Sequence, residues 1–277
     1  AFPNPEEPGA MDLAFETARG ADAELIIAND PDADRLAVAI PDAAAPGGWH
    51  RLTGNEVGLL LGWRAARTAT SGTLACSLVS SPGLQTIAEH YGLDFTATLT
   101  GFKWISRAPG LVYGFEEALG YLVNPGTVRD KDGISAAVAI LGLVAEAREE
   151  GRTLGDLLDE SAATFGHFAS GQVSLRVDDV SVIGRIMTAL RAAPPASIGS
   201  VAVERMEDLL TAPEGSPRGD VLRLWLADGS RVIVRPSGTE PKLKAYLDVR
   251  GESAEDAAAR LSGVDAGVRA VLDAAQA

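Results

Sequence analysis

Three aspartates at alternate positions are the strongest chemical signal in the sequence. Asp30, Asp32 and Asp34 lie in the segment NDPDADR, which follows the apolar run ELIIA. In an extended loop, side chains at i, i+2 and i+4 project to one side, so we expect the three carboxylates to converge. Oxygen ligands without a nearby His or Cys indicate Mg²⁺ or Mn²⁺ rather than zinc. The alternative is a solvated acidic turn.

A second signal is the segment RPSGTEPK at residues 235–242. Arg235 could bind two phosphate oxygens with its planar guanidinium. The hydroxyls of Ser237 and Thr239, together with loop N–H groups, could form an anion-binding nest, and Gly238 permits unusual backbone angles and close ligand approach. The alternative is an ordinary turn between two strands.

Three other loops carry charged residues after predicted strands. Glu116, in GFEEALG, could accept hydrogen bonds from sugar hydroxyls, although paired glutamates often only begin helices. Lys103 in TGFK and Lys131 in RDKDG each place one cation in such a loop. Each of these two segments could equally be a charged turn.

Composition narrows the classes of function. The 277 residues are 46% hydrophobic and 22% charged, a composition typical of globular proteins. The net charge of −14 argues against a protein that binds nucleic acid, because such binding depends on clustered cations. We expect no membrane span, because no apolar stretch approaches about 20 residues. The start, AFPNPEEPGA, is unlike a signal peptide, and the single Cys76 allows no internal disulfide. A cytoplasmic location is therefore predicted.

The acidic loop needs a strand before it and a sheet around it. Residues 11–19 have helical spacing, and residues 24–28 and 36–40 read as strands, the first of them typical of a strand buried on both faces in a parallel sheet. One helix and two strands cannot bury a core, so this opening is expected to be the end of a domain whose beginning is missing. The proline- and glycine-rich residues 41–48 are predicted to be a linker.

The next 110 residues or so alternate between helices and strands, which favours a parallel sheet with helices on both faces. Thr53 is a candidate N-cap of the first helix. The predicted elements are helices at 56–68, 83–91 and 134–150 and strands at 74–79, 94–99 and 111–115.

After about residue 165 the pattern changes to that of an α+β domain with an antiparallel sheet. Residues 221–226 and 231–234 flank the turn ADGS and predict a hairpin. Other strands are predicted at 172–177 and 243–249, and helices at 182–192 and 254–275.

Taken in order, DPDADR, TGFK, GFEEALG, KDG and RPSGTEPK resemble the α-D-phosphohexomutase superfamily along the whole chain. The segment FEEALGY is similar to the corresponding segment in the branch of phosphoglucomutases and phosphopentomutase-like enzymes, in which phosphomannomutases also occur. Members have three α/β domains and a C-terminal α+β domain. The resemblance implies that residues 1–46 are the end of domain 2, 47–163 a sugar-binding α/β domain 3, and 164–277 a phosphate-binding α+β domain 4.

The resemblance also implies roles for the acidic loop. Asp30, Asp32 and Asp34 would ligate Mg²⁺ together with a phosphoserine oxygen, and Arg35 would lie beside that phosphate. Lys131 would line the cleft as a group that handles phosphate or protons.

For the substrate, the resemblance implies that Glu116 binds sugar hydroxyls and that Lys103 lines the cleft. The family often has Ser two residues after that Glu, whereas this chain has Ala118. The phosphate that is not transferred would be held by Arg235, Ser237, Gly238 and Thr239.

The implied reaction interconverts a hexose 1-phosphate and 6-phosphate, of glucose or mannose, through a 1,6-bisphosphate. Its nucleophile is a serine in a Thr-Ala-Ser-His-Asn-Pro-like segment, which this sequence does not contain; Ser80-Ser81-Pro82 is the nearest cluster. We therefore expect a C-terminal portion of a phosphohexomutase that is inactive as a mutase alone.

Two alternatives stay open at the level of sequence. The first is a magnesium-dependent phosphatase of the haloacid-dehalogenase type, with Asp30 as nucleophile and Asp32 as acid/base. The second is a sugar-phosphate-binding module without catalysis.

Overall fold

The computed structural model describes residues 4–214, 216–238 and 240–276. The chain divides into two compact units, Ala1–Phe165 and Gly166–Ala277. Each unit has its own hydrophobic core.

The first unit contains two sheets and six α-helices in its described part. In chain order its elements are α1 (Asp12–Gly20), β1 (Ile26–Asn29), β2 (Leu36–Pro41), a 3₁₀ turn (Pro46–Gly48), β3 (Trp49–Arg51), α2 (Gly54–Thr68), β4 (Thr73–Ser77), α3 (Gly83–Tyr91), β5 (Asp94–Thr98), α4 (Phe102–Ile105), β6 (Leu111–Glu116), β7 (Gly120–Leu122), α5 (Gly133–Glu149) and α6 (Leu154–Phe165).

The smaller sheet carries the acidic loop and is antiparallel, in the order β1-β2-β3. The prediction of a parallel strand buried on both faces is therefore wrong for β1, which pairs with β2 after a short loop and is only partly buried. A loop this short can join antiparallel neighbours but cannot make a parallel crossover. The predicted linker at residues 41–48 instead connects β2 to β3, since Pro41 pairs with Trp49.

The larger sheet has the order β5-β4-β6-β7, with three parallel strands and an antiparallel edge strand, β7. Alternate side chains of β4 pack on opposite faces of the sheet. Leu74 and Cys76 belong to the core that includes α2, α3 and α5, whereas Ala75 packs with Phe102 and Ile105 of α4. Helices thus cover both faces, as the sequence predicts.

The N-terminus of α2 is fixed by a capping box. The Thr53 hydroxyl accepts the Glu56 N–H at 3.2 Å, and the Glu56 carboxylate accepts the Thr53 N–H at 2.6 Å. This reciprocal pair confirms the N-cap expected from the sequence and satisfies two N–H groups that the helix itself leaves unpaired.

In its described residues, the second unit is a six-stranded antiparallel sheet with two helices. Its elements are β8 (His167–Arg176), α7 (Ser181–Ala192), β9 (Ser197–Ile198), β10 (Val201–Asp208), β11 (Leu222–Leu226), β12 (Arg231–Pro236), β13 (Lys242–Gly251) and α8 (Ala254–Gln276), with the strand order β8-β13-β12-β11-β10-β9. The predicted hairpin is confirmed as β11–β12.

The predicted fold class is confirmed: a mixed α/β sheet in the first unit and an antiparallel α+β arrangement in the second. Six elements were not predicted from the sequence: α4, α6, β3, β7, β9 and β10. None of the helices in the described part of the chain has the length and apolarity that a membrane-spanning segment needs.

Candidate functional site

The three aspartates of the β1–β2 loop do converge. One carboxylate oxygen from each of Asp30, Asp32 and Asp34 lies within 4.8 Å of the others, and Asp30 is 6% exposed. The loop is a tight turn rather than the expected extended segment, because the Ala33 N–H donates to the Asp30 carbonyl at 3.0 Å and Ala33 has a φ of +59°. The turn, not strand-like alternation, therefore brings the carboxylates together.

Backbone hydrogen bonds hold this turn in place. The Asn29 side-chain amide donates to the Arg35 carbonyl at 2.7 Å, and the Arg35 N–H donates to the Asp30 carboxylate at 3.0 Å. The N–H of Gly133, at the start of α5, donates to the Ala33 carbonyl at 3.1 Å. A Cβ at Gly133 would lie 2.3 Å from the Arg35 carbonyl oxygen, so only glycine lets α5 approach the turn this closely.

Two cations face the acidic turn. The Lys131 ammonium lies 2.7 Å from an Asp34 oxygen, and the Arg35 Nε lies 3.7 Å from Asp30 and 4.0 Å from Asp34. Burial opposes the charge of Lys131, but its hydrogen bond and attraction to Asp34 raise its pKa above the ordinary value. Within the described part of the chain the buried Nε of Arg35 has no hydrogen-bond acceptor, and it faces the carboxylates of Asp30 and Asp34 only at ion-pair distance.

The donor set fits a hard divalent cation. It consists of three carboxylates, without imidazole or thiolate, and Mg²⁺ and Mn²⁺ prefer oxygen ligands of this kind. Lys131 and Arg35 neutralise part of the repulsion among the carboxylates, which explains how the turn keeps three of them together.

Glu116 ends β6 beside the same turn. It pairs with Gly120 of β7, and a Cβ at Gly120 would touch both the Glu116 Cγ (2.9 Å) and the Lys131 Cδ (3.0 Å). Burial, and next the charge of Glu117, raise the pKa of Glu116 to about 7, against the opposing charges of Lys131 and Arg35. Near neutral pH this carboxyl can therefore either donate or accept a proton.

Glu117 has different partners, which sequence reasoning missed. Its Oε2 accepts hydrogen bonds from the hydroxyls of Ser77 and Ser80, each at 3.1 Å, and its N–H donates to the Ser80 hydroxyl at 3.0 Å. The parallel pairing of β4 with β6 places these residues at one sheet edge. Only the order of the strands could have indicated that contact.

The structure does not bring every predicted residue of the first unit together. Asp30, Asp32, Asp34, Arg35, Glu116 and Lys131 form one cluster. Lys103, by contrast, is exposed on α4, and its ammonium lies 5.4 Å from the ring centre of Trp104.

In the second unit, the loop between β12 and β13 carries the predicted phosphate ligands. Arg235 pairs across the sheet with Lys244, so their side chains lie on one face. Ser237 is half-buried and Gly238 is exposed. Thr239 lies outside the described residues.

Two expectations for this loop need correction. The Ser237 N–H donates to the Lys242 carbonyl at 2.8 Å, so it is not free to join an anion nest. Gly238 does not have the positive φ that requires glycine; the space around its Cβ position is open, and close approach of a ligand there stays a prediction. Glu240 accepts from Lys242 at 2.7 Å and Arg176 at 3.4 Å, and these cations, Lys242 first, lower the pKa of Glu240.

The structure thus places a turn of three aspartates beside the half-buried Glu116 and Lys131, followed by an α+β unit with a cationic loop, as the resemblance to phosphohexomutases implies. Comparison with known proteins identifies the family. Residues 1–44, 53–165 and 189–262 match the models of phosphoglucomutase/phosphomannomutase alpha/beta/alpha domain II, alpha/beta/alpha domain III and C-terminal domain. The chain belongs to this family, within the α-D-phosphohexomutase superfamily.

Individual relatives agree with this assignment. The chain is 55% identical over 273 residues to a probable phosphomannomutase of Haemophilus influenzae, covering 98% of this chain and 55% of that protein. It is 33% identical to a phosphoglucomutase of Staphylococcus aureus, covering 94% of this chain and 51% of the relative. The chain thus spans about half the length of the curated relatives that it matches.

Solved structures show the same fold. The phosphoglucomutase parafusin of Paramecium, in its open form, superimposes with a TM-score of 0.73 at 19% sequence identity. The match covers 99% of this chain and 50% of that one.

Proposed function

We propose that this chain supplies the metal, sugar and spectator-phosphate sites of a phosphohexomutase that interconverts hexose 1- and 6-phosphates through a bisphosphate. The observation that carries the proposal is the convergence of the Asp30, Asp32 and Asp34 carboxylates beside Lys131 and Glu116. The sugar is glucose or mannose, in keeping with the names of the relatives.

Asp30, Asp32 and Asp34 would hold Mg²⁺, which supplies a Lewis acid at a transferring phosphoryl group. Arg35, whose side chain is 32% exposed, would bind a phosphate oxygen through its guanidinium group. Lys131 would hold Asp34 in place and add positive charge where phosphoryl oxygens gather.

Glu116 would bind sugar hydroxyls. Its pKa near 7 suits a group that accepts a hydrogen bond when ionised and donates one when protonated. Lys103 would reach the substrate from α4. Ala118 stands where the family often has a serine, so the sugar contact of that serine hydroxyl would be lost here.

Arg235, Ser237, Gly238 and Thr239 would hold the phosphate that is not being transferred. Lys244, directly across the sheet from Arg235, adds a second cation on that face. The division of the chain into domains at residues 46 and 163 belongs to the same proposal. The proposal also requires a phosphoserine, which is not among these 277 residues.

The test is calorimetric titration of the chain with glucose 1,6-bisphosphate and Mg²⁺. We expect binding without interconversion of glucose 1- and 6-phosphate, and a weakening of about 10- to 100-fold for Glu116→Gln and for Arg235→Gln, the usual cost of losing a charged hydrogen bond. Asp159→Asn is the control, since Asp159 is exposed.

Absence of binding by the unaltered chain would contradict the proposal. Interconversion at ordinary enzyme rates would contradict its claim that the chain alone is inactive. Hydrolysis of p-nitrophenyl phosphate that disappears in Asp30→Asn would favour the phosphatase instead. Binding that none of these substitutions weakens would favour a module with a different site.

A further inference from the structure

We propose that Glu117 is a positioning residue: through Ser77 and Ser80 it holds the β6–β7 turn so that Glu116 faces Lys131 and the acidic turn. This inference rests on the proposed function, because it explains how Glu116 is held in position to bind sugar hydroxyls. The two adjacent glutamates have separate tasks, since Glu116 lies against Lys131 while Glu117 bonds to the end of β4.

The bonding between Glu117 and Ser80 is reciprocal. The Glu117 N–H donates to the Ser80 hydroxyl at 3.0 Å, and that hydroxyl donates to the Glu117 Oε2 at 3.1 Å. Two bonds between the same two residues fix both the backbone and the side chain, as a capping box does at a helix terminus. Ser77 supports them, because its hydroxyl lies 2.8 Å from that of Ser80 and 3.1 Å from the same Oε2.

The serines are a rigid support. Ser77 and Ser80 are each 1% exposed, and Ser77 is the last residue of β4. Buried side chains in a packed interior have little freedom to move. Because β4 and β6 are parallel neighbours, these bonds join two strand ends at the edge where Glu116 lies.

The backbone of the turn is confined from its other side as well. A Cβ at Gly54, the first residue of α2, would lie 1.8 Å from the Glu117 carbonyl oxygen, so α2 packs directly on the turn. Leu119, within the turn, has a φ of +63° and is 1% exposed. A non-glycine residue keeps this conformation only where its surroundings impose it.

A purely structural residue at position 117 would not need to be charged. A carboxylate partly withdrawn from water is costly unless it is hydrogen-bonded, and an apolar side chain of similar size would pack at lower cost. We infer that the charged network fixes an orientation instead. Hydrogen bonds of defined geometry at Glu117 determine where the neighbouring side chain of Glu116 points.

The experiment compares Glu117→Gln and the double variant Ser77→Ala/Ser80→Ala with the unaltered chain. Calorimetry measures the dissociation constants of glucose 1,6-bisphosphate and of inorganic phosphate, and thermal unfolding is measured in parallel. We expect about 10-fold weaker bisphosphate binding in both variants, corresponding to one lost hydrogen bond to a charged group, with phosphate binding unchanged. Ser81→Ala, which removes an equally buried hydroxyl that caps the Gly83 N–H, is the matched control.

The triple variant, which combines all three substitutions, separates positioning from general damage. If Glu117 acts through the serines, the triple variant binds the bisphosphate no more weakly than Glu117→Gln. Lower unfolding temperatures with an unchanged bisphosphate constant would overturn the inference, and so would additive losses. Failure of the unaltered chain to bind contradicts the proposed function, whereas normal binding by Glu117→Gln contradicts only the positioning role.

Discussion

The acidic turn of the first unit and the cationic loop of the second are built in opposite ways. The acidic turn is fixed by hydrogen bonds from the Asn29 side-chain amide and the Gly133 N–H to its backbone carbonyls, and helix α5 approaches it without room for a side chain. The loop that follows β12 is held across its ends by the Ser237–Lys242 backbone bond, and its one acidic residue, Glu240, is exposed. Both regions contain a lysine–carboxylate pair, but the acidic turn packs against a helix, whereas the ion pairs of the loop lie nearer to solvent.

This difference follows from what each region must bind. Three carboxylates repel one another, so their convergence requires a backbone that holds them and cations that offset the charge. A cationic loop has the opposite problem, because Lys242 and Arg176 already have an acidic partner in Glu240. We infer that a phosphate at this loop would compete with Glu240, whereas a metal at the turn would relieve an existing repulsion.

Glu116 and Glu240 should therefore respond to pH with opposite signs. The folded-state pKa of Glu116 is raised from 4.5 to about 7, so its ionisation destabilises the fold progressively between those values. We expect Glu116→Gln to be more stable than the unaltered chain by about 3 kcal/mol above pH 7, a difference that disappears below pH 4.5. Urea unfolding in EDTA at pH 4.5, 6 and 8 measures this difference.

Glu240→Gln is the matched variant for the second region. Lys242 lowers the pKa of Glu240, so its stabilising contribution is present above the unfolded-state pKa and is lost as the pH falls through the folded-state value. We expect a small loss of stability at neutral pH that disappears in acid. Parallel pH curves for the two variants would contradict the contrast between a half-buried and an exposed carboxylate.

A pair of glycine substitutions compares the rigidity of the two regions. In Gly133→Ala the new methyl group would lie within 2.8 Å of atoms of Asn29, Ala33 and Arg35, and we expect a loss of about 1–3 kcal/mol, the usual cost of overpacking. In Gly238→Ala the methyl group enters open space, so the unfolding free energy should change by less than about 0.5 kcal/mol. Equal losses of unfolding free energy in the two variants would show that the two regions are equally rigid.

Local sequence patterns predicted much of this molecule. The apolar periodicity predicted the observed bounds of α3. Thr53 predicted the start of α2, and the turn ADGS predicted the β11–β12 hairpin. Alternate spacing also led to the acidic cluster, although Ala33 brings the aspartates together through a positive φ rather than through extended geometry. The cytoplasmic location and the roles of individual residues stay predictions.

Contacts between distant residues could not be predicted in this way. The pairing of Asp34 with Lys131 and that of Ser80 with Glu117 depend on which strands are neighbours, and no periodicity contains that information. The antiparallel pairing of β1 was missed because a short apolar run fits either kind of sheet. The short elements α4, β7 and β9 contain too few residues to show a period.

Manganese binding tests the central claim, that the β1–β2 turn is a divalent-cation site. Asp32 is the residue to change, because it is exposed, whereas Asp30 also accepts the Arg35 N–H. We expect one Mn²⁺ per chain by electron paramagnetic resonance titration. In Asp32→Asn the affinity should fall by at least about 10- to 100-fold, since even the partners of metal ligands contribute that much, with Asp159→Asn unchanged. No Mn²⁺ binding, or equal affinity in all three proteins, would contradict it.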